Sequence, residues 1–389
     1  MKLLFVCHDP PSPADNGGSI DMLGMLRALH ALGHEVDLVY TLRDAEDRHE
    51  AEAMAPYCRS QQAVRRNLGM RAAASFLPYQ IASRAGLMRL PLFDHYDVAI
   101  VSDHCAGILL NPHLRASARV LRRQNAEAAY ARAMAATASN KALQAFFLKE
   151  AVCFAYWHRH TDRWLDQIWY ISGDELSAEA RSPRPGTEHV TRLRVSSALL
   201  DDGLCVRPPV QHNRVLYFGS MTIAVNRAAV DWYVDHVLPV VRKARPDHNF
   251  LIAGRISAAE EQWAARHRAS SNYHFVPNPE NAEAIYSGGG VFVDPKAHSI
   301  GVKVKILEAV RHGLPVVCSP ESLKGTGLKP GTHALVAADA ELFAAHVISL
   351  LASTDRATAQ ATAARDYLRK NSNINEELTA AFEALMRRN

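Results

Sequence analysis

Short runs in which nearly every residue is apolar or β-branched recur along the chain, separated by longer stretches whose apolar positions return every three or four residues. In the first half the runs are 2–8 (KLLFVCH), 35–42 (EVDLVYTL), 97–104 (DVAIVSDH), 118–124 (ARVLRRQ) and 167–175 (QIWYISGDE). In the second half they are 214–220, 249–255, 273–277, 290–295 and 314–319. Strands without polar alternation are covered on both faces, and such strands joined through helices make parallel sheets. The pattern predicts an α/β fold with a doubly wound sheet, and it predicts it twice. Periodicity stops over 200–213 (LDDGLCVRPPVQHN), where Gly, Asp and a Pro pair cluster, so the linker is expected there. The expected domains are 1–205 and 206–370, with a closing helix in 371–389 packing back on the first.

A chain of 389 residues exceeds one ordinary core, in keeping with two domains. With 48% hydrophobic and 22% charged residues the composition is globular, and a net charge of +4 without a basic stripe argues against nucleic acid as a partner. Six cysteines (Cys7, Cys58, Cys105, Cys153, Cys205, Cys318) form no C-x-x-C pair and no zinc spacing, so reduced thiols in a cytoplasmic protein are expected. The opening MKLLFVCHDPPSP is too short in apolar length for a secretory leader. No run reaches the roughly 18 apolar residues of a spanning helix.

Chemistry concentrates where 290–295 (GVFVDP) gives way to a helix, KVKILEAVRH, closed by Gly313 with Leu314-Pro315 beyond it. In an open α/β sheet the ligand crevice lies outside the carboxyl ends of the strands, so the intervening KAHSIG faces it. Free amides and the helix dipole favour an anion there, and Lys303 and Lys305 add two positive charges. Gly301 lets a diphosphate approach the backbone, and the acceptor-only carboxylate of Glu308 suits ribose hydroxyls. The alternative is a solvated first turn in which Lys305 and Glu308 pair at i,i+3.

GVKVKILEAVRHGLPVVCS resembles the G-x-[RK]-x-K-x-L-E-A-x-x-x-G-x-P-V-V segment of the group 1 (family 4-like) glycosyltransferases, retaining enzymes of the GT-B fold. Residues 14–39, 215–255 and 324–351 are similar to further parts of that family, so the resemblance covers nearly the whole chain. It implies two Rossmann-like domains facing a cleft, with a nucleotide-diphosphate sugar held by the second and an acceptor by the first. UDP- or GDP-sugars are the implied donors, and a saccharide or polyprenyl-diphosphate-linked sugar the implied acceptor. Carried over residue by residue, Lys303 touches the diphosphate, Lys305 supports it, Glu308 bonds the ribose, and Gly17 and Gly18 wall the phosphates. Gly219, Ser220, Asn226, Arg255, His298 and Gly301 complete the donor side.

Two positions depart from the pattern: Ile300 stands where many members carry glutamate, and Asn226, with Arg227 beside it, stands near a usual lysine. On the acceptor side RRQNAEAAY (122–130) is similar to the H-N-x-E stretch of exopolysaccharide-pathway sugar transferases, with Gln124 in place of histidine. Glutamine cannot act as a base, so that role passes to Glu127 or to the leaving phosphate, with Gln124, Asn125 and Glu127 lining the acceptor site. The chain contains no D-x-D, and neither a metal nor another cofactor is expected. Catalysis is assigned to Glu127, Lys303 and Glu308. The readings kept open are a non-catalytic nucleotide-sugar-binding protein and a sugar-nucleotide epimerase. Finally, 59–93 holds Arg59, Arg65, Arg66, Arg71, Arg84 and Arg89 among Leu68, Met70, Phe76, Leu77, Leu87 and Met88 without an acidic residue. Such a stretch predicts peripheral contact with an anionic membrane at its inner face.

Overall fold

The first apolar run forms strand β1 (Lys2–Cys7), and it is the centre of a sheet built outward on both sides. The computed structural model describes residues 1–13, 17–43, 51–136, 138, 140–181, 184–197, 213–279, 282–295 and 301–387. Following β1 come β2 (Glu35–Leu42), β3 (Ser60–Arg65), β4 (His95–Ser102), β5 (Arg115–Arg123), β6 (Gln167–Tyr170) and β7 (Thr191–Arg194). They pair in the order β3-β2-β1-β4-β5-β6-β7 and every pairing is parallel. The second sheet comprises β8 (Arg214–Phe218), β9 (Asn249–Gly254), β10 (His274–Pro277), β11 (Val291–Asp294), β12 (Val316–Cys318) and β13 (Leu335–Val336). Its order, β10-β9-β8-β11-β12-β13, is again parallel throughout. The doubly wound pattern read from the apolar runs is therefore present twice.

Three strands escape the apolar pattern, and all three are edges. β3 keeps one buried residue in six, β7 is half-buried along its length, and β13 is two residues long. An edge strand is covered less than a central one, so its sequence need not be apolar. The run 167–175 also divides: the strand ends at Tyr170 and a helix, Gly173–Arg181, takes the remainder.

The chain separates into two compact units, Met1–Ala14 with Gly18–Ala198 and Ile374–Asn389, and Asp15–Gly17 with Leu199–Asn373. The closing helix Ile374–Met386 thus packs with the amino-terminal sheet, burying Ile374, Leu378, Ala381, Phe382 and Leu385 on one stripe. Phe382 meets the Trp169 ring edge-on at 5.7 Å, Gln167 donates to the Ala381 carbonyl at 2.9 Å, and Arg194 pairs with Glu377 at 2.6 Å. The amino-terminal sheet is covered on both faces by separate apolar clusters, one around Phe5, Met25 and Trp169 and one around Leu4, Val101 and Trp157. In the second unit Tyr233, Phe250 and Phe343 centre the cluster beneath β8, β9 and β11. No helix among the described residues is long and apolar enough to cross a membrane.

Candidate functional site

In the second unit the strand order reverses between β8 and β11, the point at which an open α/β sheet takes its ligand beyond the carboxyl ends of its strands. Gly219 and Ser220 follow β8, with the Gly219 amide on the Ala253 carbonyl at 3.0 Å and the Ser220 and Thr222 hydroxyls 2.8 Å apart. Gly254 closes β9 with φ +154°, and a Cβ there would lie 1.8 Å from the Gly219 carbonyl oxygen. Only glycine lets the two backbones pass so closely. Arg255 is exposed just beyond, and its carbonyl accepts from Met221 N at 2.7 Å. Asn226 sits in the first turn of the helix Ala224–Trp232 and is buried, its Nδ2 donating to the Ser220 carbonyl at 2.6 Å. The residue that replaces a lysine here therefore holds the loop.

After β11 the chain reaches Gly301, whose φ of +75° is the left-handed geometry that favours glycine. The helix Val304–Arg311 then starts with Lys303 at its N-cap and no side-chain cap bond. Lys303 Nζ turns back to the Gly301 carbonyl at 2.9 Å, and Lys305 reaches inward. Its Nζ lies 2.6 Å from Asp294 Oδ1 at the end of β11, 3.0 Å from the Tyr217 hydroxyl and 4.3 Å from the centre of the Tyr217 ring. Asp294 is 0% exposed, so Lys305 neutralises a fully buried carboxylate. Burial, then the Asp294 charge, pushes the Tyr217 hydroxyl well above its ordinary pKa, so it stays neutral, accepting from Lys305 and donating to the Asn226 carbonyl at 3.5 Å.

Glu308 is buried on the same helix and does not pair with Lys305. Its Oε2 lies 3.6 Å from Arg311 and 3.5 Å from His312, whose ring stacks on Tyr286 at 5.1 Å. The i,i+3 alternative is thus replaced by partners on the following turn. His298 and Ile300 lie outside the described residues.

In the amino-terminal unit the order reverses between β1 and β4. Gly17 and Gly18 open the helix Gly17–Ala31 after β1; Gly17 groups with the second unit and Gly18 with the first. Gln124, just past β5, donates to Asp21 Oδ2 at 3.1 Å, and Arg122 clamps Asp21 at 2.6 Å with all these groups on this unit. Asn125 is half-buried, and Glu127 starts the helix Glu127–Ala136. Glu127 Oε1 lies 3.0 Å from Nε2 of His104, a residue the sequence motifs did not point to. Its signal was its place, two residues past β4 at the point where the order reverses. Beside it His8, the residue after β1, meets the His104 ring edge-on at 5.2 Å.

Burial lowers the His8 pKa to about 3, with lesser contributions from its charged neighbours, so the folded protein keeps the ring neutral. The unfolded chain takes up a proton near 6.5, hence stability is lost as pH falls below 6.5 and continues to fall until about 3. The His8 share is about 1.4 kcal/mol per pH unit across that window. Burial also lowers His34, His248 and His333, which act in the same sense. Urea unfolding at pH 6.5 and 4.5 should therefore show a shallower pH dependence for His8→Gln than for wild type. Parallel curves would show that His8 is not held neutral.

Two parallel doubly wound units, one carrying a cationic helix mouth at its switch point, define a GT-B architecture. The family described as "Glycosyl transferases group 1" matches residues 212–353. A Klebsiella pneumoniae protein described as an "Uncharacterized 44.6 kDa protein in cps region" is 30% identical over 360 residues, 90% of each chain. The chain belongs to the group 1 glycosyltransferases. Similar solved folds include sucrose-phosphate synthase from Thermosynechococcus elongatus, at TM-score 0.70 and 17% identity over 100% of both chains. A mutant of S. aureus TarM, in complex with Fondaparinux, alpha-GlcNAc-glycerol and UDP, matches at TM-score 0.68 and 8% identity over 99% of both. Anabaena Alr3699/HepE, in complex with UDP and glucose, matches at 0.61 and 12%, covering 99% of this chain and 100% of that one.

Proposed function

We propose that the protein transfers a sugar from a nucleoside-diphosphate sugar, UDP- or GDP-linked, to a saccharide or polyprenyl-diphosphate-linked acceptor with the anomeric configuration retained. The observation that carries this reading is the Gly301–Lys303–Lys305 helix mouth at the carboxyl end of β11. The UDP in the Alr3699/HepE and TarM structures supports the donor class, and the cps-region relative supports a place in polysaccharide biosynthesis. In this reading Lys303 leaves the Gly301 carbonyl for the diphosphate, and Gly301 gives that group room. Lys305, held by Asp294 and Tyr217, acts from behind as a fixed charge. As the bond from the anomeric carbon to the phosphate oxygen breaks, these charges and the helix amides stabilise the leaving diphosphate. Glu308 receives the ribose hydroxyls, and Gly219, Ser220 and Arg255 border the same crevice while Asn226 holds the loop.

Among the described residues no group of three or more His, Cys, Asp or Glu is placed to hold a metal ion. The lysines and the helix amides are assigned the charge neutralisation on their own charge and dipole. The reading is tested by thermal shift with UDP, GDP, ADP and dTDP. One of them at about 100 times its Kd should stabilise the protein by about 2.7 kcal/mol. Silence with all four removes the donor assignment.

The basic stretch 59–93 supports a membrane-side location for the acceptor, with a correction to its arginines. Arg66 and Arg84 are buried, at 3% and 2% side-chain exposure beside Asp9, and Leu87 is core. Arg59 pairs with Asp37 and Asp94, which leaves Arg65, Arg71 and Arg89 exposed. Met70, Phe76 and Phe93 are exposed at 86%, 97% and 91%. The helix Lys141–Thr161 adds Leu148, Val152 and Tyr156 at a spacing of one helical turn, and Lys149 ties it to the Ala73 carbonyl at 3.0 Å. Each basic residue near an anionic surface contributes about 1 kcal/mol, so reversing the three exposed arginines to glutamate should weaken binding at least about a hundredfold. Flotation with anionic liposomes measures this. Salt-insensitive absence of wild type from those liposomes would favour a soluble acceptor.

A further inference from the structure

We propose that His104, backed by Glu127, is the group that receives a hydroxyl of a saccharide acceptor in the amino-terminal unit, an inference that rests on the transferase reading above. The position where similar transferases carry histidine is filled by Gln124, and that side chain is committed to Asp21. An imidazole, that of His104, stands just past the carboxyl end of the neighbouring strand β4. Glu127 Oε1 stands 3.0 Å from His104 Nε2, close but short of a completed hydrogen bond, as is common before a ligand tightens a site. Once that contact closes to a hydrogen bond on ligand binding, the carboxylate fixes the ring and its tautomer, and Nδ1 is left to accept from an alcohol.

The ring is held from beneath as well. Asp103 takes Nε2 of His158 at 3.0 Å and Nε of Arg123 at 3.3 Å, and Arg123 continues to Asp162 at 2.9 Å. All four groups are buried, so the turn that carries His104 has no freedom to swing. His104 itself keeps 19% of its side chain exposed while Glu127 keeps 7%. The second indication of a ligand is His8. It is 9% exposed, packs edge-on against His104, and its Nδ1 is buried without a partner. A buried polar atom left unpaired is costly and marks a place where a hydroxyl-rich ligand or water completes the bonding. Two imidazoles and a carboxylate beyond the carboxyl ends of the adjacent strands β1, β4 and β5 suit a sugar, which offers donors and acceptors on adjacent carbons.

The test uses the full chain labelled with ring-¹³C histidine and titrated with methyl α-D-glucopyranoside. The His104 and His8 signals, assigned from His104→Asn and His8→Gln, should shift, while exposed His30 and His236 stay in place. Signals that stay still, or that move equally at all four residues, overturn the proposal. With whichever nucleotide sugar is consumed, His104→Leu should raise the KM for the glycoside probe at least tenfold without changing nucleotide affinity. His104→Asn, whose Oδ1 replaces Nδ1, should restore most of that loss, which a purely structural role would not predict. An unchanged KM in His104→Leu also overturns the proposal. Shifts at His104 in a protein that consumes no nucleotide sugar support the saccharide site and remove the transferase reading instead.

Discussion

Replacing Lys305 with methionine is expected to destabilise the carboxy-terminal unit by about 3–5 kcal/mol, because it strips the ammonium from a carboxylate that has no exposure. Asp294 stands at the end of β11 in the middle of the sheet, so it cannot turn to water without disturbing the strand. For a unit of this size each kcal/mol moves the melting temperature by about 2–4 °C, and the loss should be on the order of 10 °C. The two units need not melt together, so the transition to follow is the one shifted by nucleotide. Combining Lys305→Met with Asp294→Leu should recover much of the loss, since the penalty comes from a buried carboxylate that has lost its ammonium. A melting temperature unchanged in Lys305→Met would mean that the pair does not hold the crevice in shape.

Lys303→Ala is expected to behave in the opposite way, with little change in melting and a large change in binding. Its Nζ donates to the nearby Gly301 carbonyl, and its side chain belongs to none of the apolar clusters. A hydrogen bond to a charged phosphate contributes about 1.5–3 kcal/mol, so nucleoside diphosphate affinity should fall about 10- to 150-fold. Affinity for the nucleoside alone should hold. Calorimetric titration of each variant with the diphosphate and the nucleoside makes the comparison, and an equal loss for both ligands would place Lys303 away from the phosphates. The contrast between neighbouring lysines follows from helix geometry. Position 305 faces the sheet, and position 303 caps the helix.

The central strands and the helix mouth were legible because each is written locally. β1, β8 and β11 are continuous apolar runs, and the glycine, the two lysines and the helix end lie within 301–313. What stayed hidden depends on residues far apart in sequence. Asp294 and Lys305 are read together only once β11 and the following helix are folded, and nothing in their spacing shows that the carboxylate is buried. His104 and Glu127 are separated by a whole strand and meet because β4 and β5 are neighbours. The basic stretch 59–93 shows the converse failure. Its arginines look alike in sequence, yet Arg66 and Arg84 turn inward to Asp9 while Arg65 and Arg71 face out. Charge composition counts side chains, and burial decides which of them face outward.

The most direct test of sugar transfer is proton NMR of UDP- and GDP-sugars incubated with the protein and the glycoside probe. The account predicts that one donor disappears, that nucleoside diphosphate and new glycoside form in equal amounts, and that the first-formed product keeps the donor's anomeric configuration. Intact donors alongside calorimetrically demonstrated nucleotide binding would contradict it and leave a protein that binds nucleotide without transferring sugar.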